Sequence, residues 1–389
     1  MKVNNLALAA GTLGLGISEF GMMGVLPDVA KDLQISIPEA AHFISFYAAG
    51  VCVGAPIMVI LGRKIPYKKL LIYLVALIIF GNLLTCLSFS YETLAVSRFI
   101  AGLPHGAYFG VAAIVASKLS DVGKQSAAVA MVLSGMTVAN LLGIPLCTFL
   151  GDVFSWRITY IAVTIWSFIT IILINKWIPI IPLTVITNFS SQFTFLKNWK
   201  PWVLILIITF GNGGIFCWFS YVSKVMTNVA GFNQAHLGNI MFLAGIGMFL
   251  GNILSGKMSD RFSPIKVVIF IQAIAIVGLV SVFYLSHLQS IALISLLLLT
   301  ACLFGLSAPE QVLLLRNSEG GQMLGASCAQ IAFNLGNAIG AFAGGIPITK
   351  GFTYNYTAIP GIVISSLGLL LLLFFYFKTQ KKSIKINFI

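Results

Sequence analysis

The sequence predicts an all-α integral membrane protein with twelve transmembrane helices in two pseudo-symmetric six-helix halves. Of its 389 residues, 59% are hydrophobic and only 8% are charged, and the mean hydropathy is +1.00. Soluble domains carry about 25% charged residues. The apolar runs are long and lack the period-two alternation of barrel strands, which favours helices. A weak internal repeat predicts the two halves.

Twelve apolar stretches are long enough to cross a bilayer, whose hydrocarbon core of about 30 Å needs roughly 20 helical residues. We expect the first stretch to be a membrane span and not a cleavable signal peptide, because its apolar run is too long for one. The expected spans are residues 6–27, 41–61, 69–89, 94–116, 126–149, 157–178, 202–222, 237–256, 265–285, 290–314, 324–348 and 355–377.

An offset of 197 residues relates the two parts of the chain. It pairs Gly14, Gly16, Gly50, Gly54, Lys69, Gly81, Gly123, Asn140 and Gly143 with Gly211, Gly213, Gly247, Gly251, Lys266, Gly278, Gly320, Asn337 and Gly340. We expect halves at residues 1–178 and 202–389, joined by a cytoplasmic linker at 179–201. Such repeats are typical of secondary transporters, with the binding site near the midplane. Because no GxxxxGK[ST] loop is present, transport is expected to use an ion gradient.

The basic residues alternate between loops instead of forming one patch. Most of the 23 Lys and Arg residues fall on one side of the expected membrane, so the net charge of +13 indicates topology and not nucleic-acid binding. The protein is expected in a bacterial inner membrane, with both termini in the cytoplasm. The six cysteines all fall within spans and are interpreted as packing residues, with no metal site or cofactor.

Several motifs together resemble one known family. They are "SEFGMMGVLP", "FYAAGVCVGAP", "SRFIAGLPHGAYFGV", "SGMTVANLLGIPLCTFLGDVFSWR", "FGNGGIFCWFSYVSK" and "AQIAFNLGNAIGAFAGG". The chain resembles the major facilitator superfamily, within it the twelve-span drug/proton antiporter branch, and most of all the AraJ-type group assigned to sugar efflux. The resemblance implies a monomeric transporter that is not an enzyme and whose partners are a small-molecule substrate, protons and the lipid bilayer.

Gating candidates follow from the family's motifs. Its loop signature, similar to G-x-x-x-D-R-x-G-R, matches Gly256, Asp260 and Arg261 in the second half, which implies a gate at the inner mouth. The first half lacks the acid, because Arg63 and Lys64 stand at the equivalent positions, so the usual contact there is in doubt. The Gly-Pro motif of span 5 implies a gating role for Gly143 and Pro145. Close helix packing with a proline bend is the alternative.

Glu19 is the deepest acid of the first span. A charge at the bilayer centre costs at least about 2.5–3.5 kcal/mol, so it is kept mainly where it works or pairs. A carboxylate whose surroundings change between conformations can load a proton in one and release it in the other. We therefore expect Glu19 to couple transport to protons; a structural hydrogen bond is the alternative. Phe216 stands at its repeat position.

Span 4 offers partners for Glu19, because Arg98 and His105 share one helical face. Both are predicted to take part in proton coupling. Arg98 could instead snorkel to the outer surface, and His105 could be a core hydrogen-bonding residue. Pro104 is expected to kink the span. Glu310 in span 10 lies near the cytoplasmic end and is expected in an inner gate or exposed to water.

Polar and aromatic residues within spans are candidates for substrate binding. Amides can bind hydroxyl groups, and aromatic faces can stack on sugar rings or hold cations. Hydrogen bonds between helices are the alternative for each. The candidates are Tyr47, Asn140, Asn212, Trp218, Tyr221, Gln330, Asn334 and Asn337.

The leading functional hypothesis is proton-coupled efflux by alternating access. The exported molecule is expected to be a sugar, a small polar metabolite or a lipophilic drug. A proton symporter that imports a sugar or metabolite is the first alternative, which the Gly-Pro motif of span 5 weakly disfavours. A non-transporting sensor built on the same fold is the second; because only a short tail follows span 12, we expect no added signalling domain.

Overall fold

The computed structural model describes residues 3–35, 37–181 and 190–386. Within these residues the chain forms helices, turns and no strand, and twelve helical segments are long and apolar enough to cross a membrane. The fold class and the predicted number of spans are therefore confirmed. The α-helices are α1 (Val3–Asp32), α2 (Ile37–Gly62), α3 (Tyr67–Cys86), α4 (Tyr91–Gly102), α5 (His105–Leu119), α6 (Gln125–Val138), α7 (Ile144–Val153), α8 (Trp156–Trp177), α9 (Trp199–Phe219), α10 (Val222–Lys224), α11 (Leu237–Phe262), α12 (Pro264–Leu285), α13 (Gln289–Arg316), α14 (Gln322–Thr349) and α15 (Ala358–Ile386).

Two spans of the first part are interrupted near prolines. Span 4 consists of α4 and α5, which meet at Leu103 and Pro104. Proline has no backbone N–H and cannot continue the hydrogen-bond ladder, so α5 restarts at His105. Span 5 consists of α6 and α7, joined by a π-helical turn at Ala139–Gly143. At Pro104, where a kink was expected, the helix is interrupted, and His105 lies in the first turn of a new helix.

Packing divides the chain into two compact units. The N-terminal unit comprises Met1–Phe195 and Ser318–Ile331, and the C-terminal unit comprises Leu196–Asn317 and Ala332–Ile389. Residues 182–189 of the expected linker lie outside the described residues, and Ser190–Lys197 forms a 3-10 helix. The packing units therefore differ from the halves expected from the sequence in one place: the first part of α14, up to Ile331, packs with the N-terminal unit.

The N-terminal unit is built around α1, which packs against α6, α7 and α8, while α2 packs on α4 and α3 on α8. Gly50 and Gly54 of α2 allow a close approach to α4. A Cβ at either glycine would collide with the backbone carbonyl of Phe99 or Leu103. Small residues therefore set the distance between these two helices.

The C-terminal unit repeats this arrangement. Helix α11 packs on α13, and α9 packs on α15. Gly247 and Gly251 of α11 face the backbone of α13, where a Cβ would collide with Thr300 Oγ1 or with the carbonyl of Ala301. These glycines are the repeat partners of Gly50 and Gly54. The 197-residue offset therefore relates glycines that allow close approach of the equivalent helix pairs.

The glycines of span 5 also serve close packing. A Cβ at Gly135 would collide with the carbonyl of Ala9 in α1, and one at Gly143 would lie 2.9 Å from Ile17 Cγ1. Pro145 is exposed. The contacts of Gly143 fit the packing alternative for this motif, and the gating role of Gly143 and Pro145 stays a prediction.

Candidate functional site

Glu19 meets His105 inside the N-terminal unit. Glu19 Oε2 lies 3.7 Å from His105 Nδ1, with side-chain exposures of 12% for Glu19 and 0% for His105. The hydroxyl oxygen of Tyr47 lies 3.0 Å from the same nitrogen. His105 Nδ1 therefore faces an acid and a phenol, and its tautomer decides which of them it bonds. The imidazole stacks on the ring of Phe109, with a centroid distance of 4.9 Å.

Arg98 lies fully buried beside this pair. Its guanidinium carbon is 4.5 Å from the ring centroid of Tyr47 and 5.5 Å from that of Tyr160, which are cation–π distances. Within the described chain, none of its three guanidinium nitrogens has a hydrogen-bond acceptor. Arg98 also interacts electrostatically with Glu19. Burial excludes the snorkelling alternative in this conformation.

We call Glu19, Tyr47, Arg98, His105 and Tyr160 the Glu19 cluster. The cluster depends on close helix packing, because a Cβ at Gly102 of α4 would collide with the backbone carbonyl of Tyr47 in α2. This approach places the Tyr47 side chain against both Arg98 and His105. Glu19 Oε2 and His105 Nε2 are buried and form no hydrogen bond within the described residues. The cluster thus combines a proton acceptor, an imidazole and a fixed positive charge, the groups needed for proton transfer.

Glu310 occupies a different environment in the C-terminal unit. It is 3% exposed, and Asn212 Nδ2 donates a hydrogen bond of 3.0 Å to its Oε2. The expectation that Glu310 is exposed to water is therefore wrong. Its position near the cytoplasmic end of span 10 suggested exposure at the membrane surface. In the structure α9 packs against α13 and covers the Glu310 side chain. A gating role for Glu310 has no support from these contacts.

The expected substrate-binding residues differ in their local partners. Tyr47 belongs to the Glu19 cluster, Asn212 bonds Glu310, and Trp218 is fully buried with no hydrogen-bond acceptor for Nε1 among the described residues. These three do not line a water-filled surface in this conformation. Two others bond backbone carbonyls: Asn140 donates to Met136 O at 3.1 Å, and Tyr221 donates to Ala341 O at 3.0 Å.

The α14 candidates divide between the units. Gln330 is buried in the N-terminal unit, while Asn334 and Asn337 are partly buried in the C-terminal unit. Asn337 Oδ1 is a buried oxygen that receives no hydrogen bond within the described chain, so it can accept one from a ligand. Asp260 is partly buried, whereas Arg261 is exposed and lies 5.3 Å from the ring of Phe262.

Sequence reasoning missed Tyr160 of the Glu19 cluster and Gln272 beside Glu310. Tyr160 is fully buried, but one aromatic residue in an apolar span carries no distinguishing pattern. Gln272 left a usable signal, because it is a polar side chain in the middle of the apolar helix α12. It is 2% exposed, and its Nε2 donates to Ser365 O at 3.2 Å.

Comparisons with known proteins agree with the fold. A family model described as Major Facilitator Superfamily matches residues 8–327. The protein named "Putative transporter AraJ" of Escherichia coli (strain K12) is 46% identical over 382 residues, covering 98% of this chain and 97% of that protein. "Chloramphenicol resistance protein" of Streptomyces lividans is 28% identical over 355 residues, covering 90% of this chain and 88% of that protein. The E. coli fucose:proton symporter FucP (N162A) has a TM-score of 0.77 at 15% identity, covering 95% of this chain and 98% of that structure, and shows the fold alone.

Proposed function

The chain belongs to the Major Facilitator Superfamily and is a multi-pass membrane transporter, and we propose that it is a proton-coupled exporter of a small molecule. The observation that carries this proposal is the Glu19 cluster. A buried acid next to a histidine and an arginine without hydrogen-bond acceptors is costly to keep, so it is expected where it works.

In the proposed cycle, the Glu19 cluster binds one proton and releases it again. Glu19 takes a proton from the outer side, beside His105 Nδ1, which lies 3.7 Å from Glu19 Oε2 and is hydrogen-bonded to the Tyr47 hydroxyl. While Glu19 is ionised, Arg98 supplies the balancing charge. Protonation removes the negative charge and leaves Arg98 buried without a nearby counter-charge, which favours a rearrangement of the helices that hold the two groups. Loss of the proton to the cytoplasm restores the first state.

Export is supported by one relative's name. Export of a drug is one way in which a transporter can give resistance, and a protein named "Chloramphenicol resistance protein" matches most of this chain. The exported molecule is a sugar, a small polar metabolite or a drug, with Asn140, Gln330, Asn334 and Asn337 as polar contacts. The basic loops support an inner-membrane protein with both termini in the cytoplasm, and the chain is proposed to act as a monomer.

The test is proton release from energised inside-out vesicles, followed with a pH-gradient dye. A panel of pentoses, hexoses, chloramphenicol and lipophilic cations is added to vesicles that contain the native chain or Glu19→Gln. Asp121→Asn is the matched control, because Asp121 is an exposed loop acid next to Lys124. We expect one substrate class to dissipate the gradient in the native chain and the control only.

Two results would overturn the proposal. Equal proton release by the native chain and Glu19→Gln would remove Glu19 from coupling. Accumulation of the active substrate in right-side-out vesicles, driven by an inward proton gradient, would make the chain an importer.

A further inference from the structure

We propose that the C-terminal unit holds a second proton-binding site, the carboxyl group of Glu310, in addition to the Glu19 cluster. The site itself is argued from contacts within that unit. Its part in transport, a second proton in each cycle, rests on the proposed function. The ligand is a proton bound at Glu310 Oε1, between the amide side chains of Asn212 and Gln272.

The first observation is that the polar side chains around Glu310 are amides. Its Oε2 accepts a hydrogen bond from Asn212, and Glu310 Oε1 and Gln272 Oε1 lie on the same side of Gly211. A buried carboxylate with only neutral neighbours is costly, because taking it out of water is compensated by no opposite charge. Binding a proton removes that cost.

The charged groups on the surrounding helices lie near the helix ends. Helix α13 packs against α9, α11 and α12. Titratable side chains on these four helices are Lys200, Cys217, Lys257, Asp260, Arg261, Lys266, Tyr284, Cys302 and Arg316. The charged members fall within the first or last two turns of their helices. Within the described chain, the hydrogen bond from Asn212 is the polar interaction that acts on Glu310.

Hydrogen-bond donors in this cluster are fewer than acceptors. Asn212 Nδ2 donates to Ile208 O and to Glu310 Oε2, and Gln272 Nε2 donates to Ser365 O. Glu310 Oε1 and Asn212 Oδ1 are buried and receive no hydrogen bond from the described residues. A proton on Oε1 adds the missing donor, while Oε2 continues to accept from Asn212. One proton therefore improves both the charge balance and the hydrogen bonding.

Gly211 leaves space beside these oxygens. A Cβ at this position would lie 2.9 Å from Gln272 Oε1 and 3.6 Å from Glu310 Oε1. The missing side chain keeps apolar atoms away from the carboxyl and leaves room for Oε1 to donate towards an amide oxygen. A proton suits the site better than a metal cation, because one carboxylate and two amides give few of the oxygen ligands that a hard cation requires.

Infrared difference spectroscopy tests the site without any transport assay. The purified full chain in lipid is examined between alkaline and acidic buffers, as the native chain, Glu310→Gln, Glu19→Gln and Glu319→Gln. Glu319 is an exposed acid in the loop after α13 and serves as the matched control. We expect a protonated-carboxyl C=O band that is lost in Glu310→Gln and kept in the other two variants. An unchanged spectrum in Glu310→Gln would overturn the proposal.

Asn212→Ala is a second variant for the infrared measurement, and it tests the site even if Glu310→Gln folds poorly. Removing the amide deletes the hydrogen bond to Oε2, so the band is expected to remain but move to higher frequency. A band that stays in place in this variant would contradict the assignment. Loss of the native band on adding sodium chloride, but not choline chloride, would assign the site to sodium and overturn a proton site.

The role in transport is tested separately. We expect the number of protons released per substrate to fall by half in Glu310→Gln, while Glu19→Gln abolishes coupling. An unchanged ratio in Glu310→Gln would overturn the second proton in the cycle. A protein that moves no substrate would overturn the proposed function, and the infrared result would stand independently.

Discussion

The two units hold their buried acids in opposite kinds of surroundings. Glu19 lies with Arg98, His105 and two tyrosines, so it has a counter-charge and a second titratable group. Glu310 lies with amides and has a hydrogen bond but no cation. Glycines at equivalent positions pack both units, but the acids do not repeat. At the 197-residue offset, Phe216 replaces Glu19 and Ala113 replaces Glu310. The repeat therefore preserves helix packing, while the chemistry of each unit is its own.

The largest effect is expected from Glu19→Gln. This variant keeps the size of the side chain and removes its proton chemistry, so substrate accumulation driven by a proton gradient should fall about 100-fold or more. Exchange of substrate without a gradient should persist. Radiolabelled substrate in vesicles measures both activities, with Asp121→Asn as the control. Loss of exchange as well would mean that the variant disrupts binding and not coupling.

Removing Arg98 should cost more stability than any change around Glu310. Arg98→Ala leaves Glu19 buried without a positive charge nearby, and an uncompensated buried charge costs about 3–5 kcal/mol. Thermal unfolding in detergent measures the loss. The double variant with Glu19→Gln should recover part of it, since the neutral side chain needs no counter-charge. Strictly additive losses would show that Arg98 contributes through packing on Tyr47 and Tyr160 alone.

Asn212→Ala should destabilise the C-terminal unit less. It removes the amide that donates to Glu310, and leaving a buried group without its partner costs about 1–3 kcal/mol. The same unfolding measurement allows a direct comparison with Arg98→Ala. A loss as large as that of Arg98→Ala would mean that Glu310 stays ionised and depends on this donor. The two acids would then not differ in the way described above.

Tyr47→Phe is expected to have the smallest effect on stability. The ring stays under Arg98, and only the hydroxyl that contacts His105 is lost, at a cost of about 1 kcal/mol. Its signature should be a shifted pH dependence of transport, because His105 Nδ1 keeps Glu19 as its remaining polar neighbour. Transport rates across a pH series measure this shift. A profile identical to that of the native chain would remove Tyr47 from proton handling.

Patterns along single helices could be predicted from the sequence, and contacts between distant helices could not. The twelve spans and the exceptional position of Glu19 follow from hydropathy and from the cost of burying a charge. Arg98 and His105 were placed on one face by helical spacing, and they share a cluster even though the helix breaks between them. Tyr160 and Gln272 were missed because their roles depend on neighbours from other helices. Exposure of Glu310 to water was a wrong expectation, because the position of a residue along its own helix does not show that a neighbouring helix, here α9, packs over it.

The central claim is that the Glu19 cluster couples substrate movement to protons. The most direct measurement counts both fluxes together in liposomes that contain the purified chain, with a pH-sensitive dye inside and labelled substrate outside. The native chain should move protons and substrate in opposite directions in a fixed ratio. Glu19→Gln should move substrate down its gradient with no associated proton flux. A fixed proton-to-substrate ratio that persists in Glu19→Gln would contradict the account.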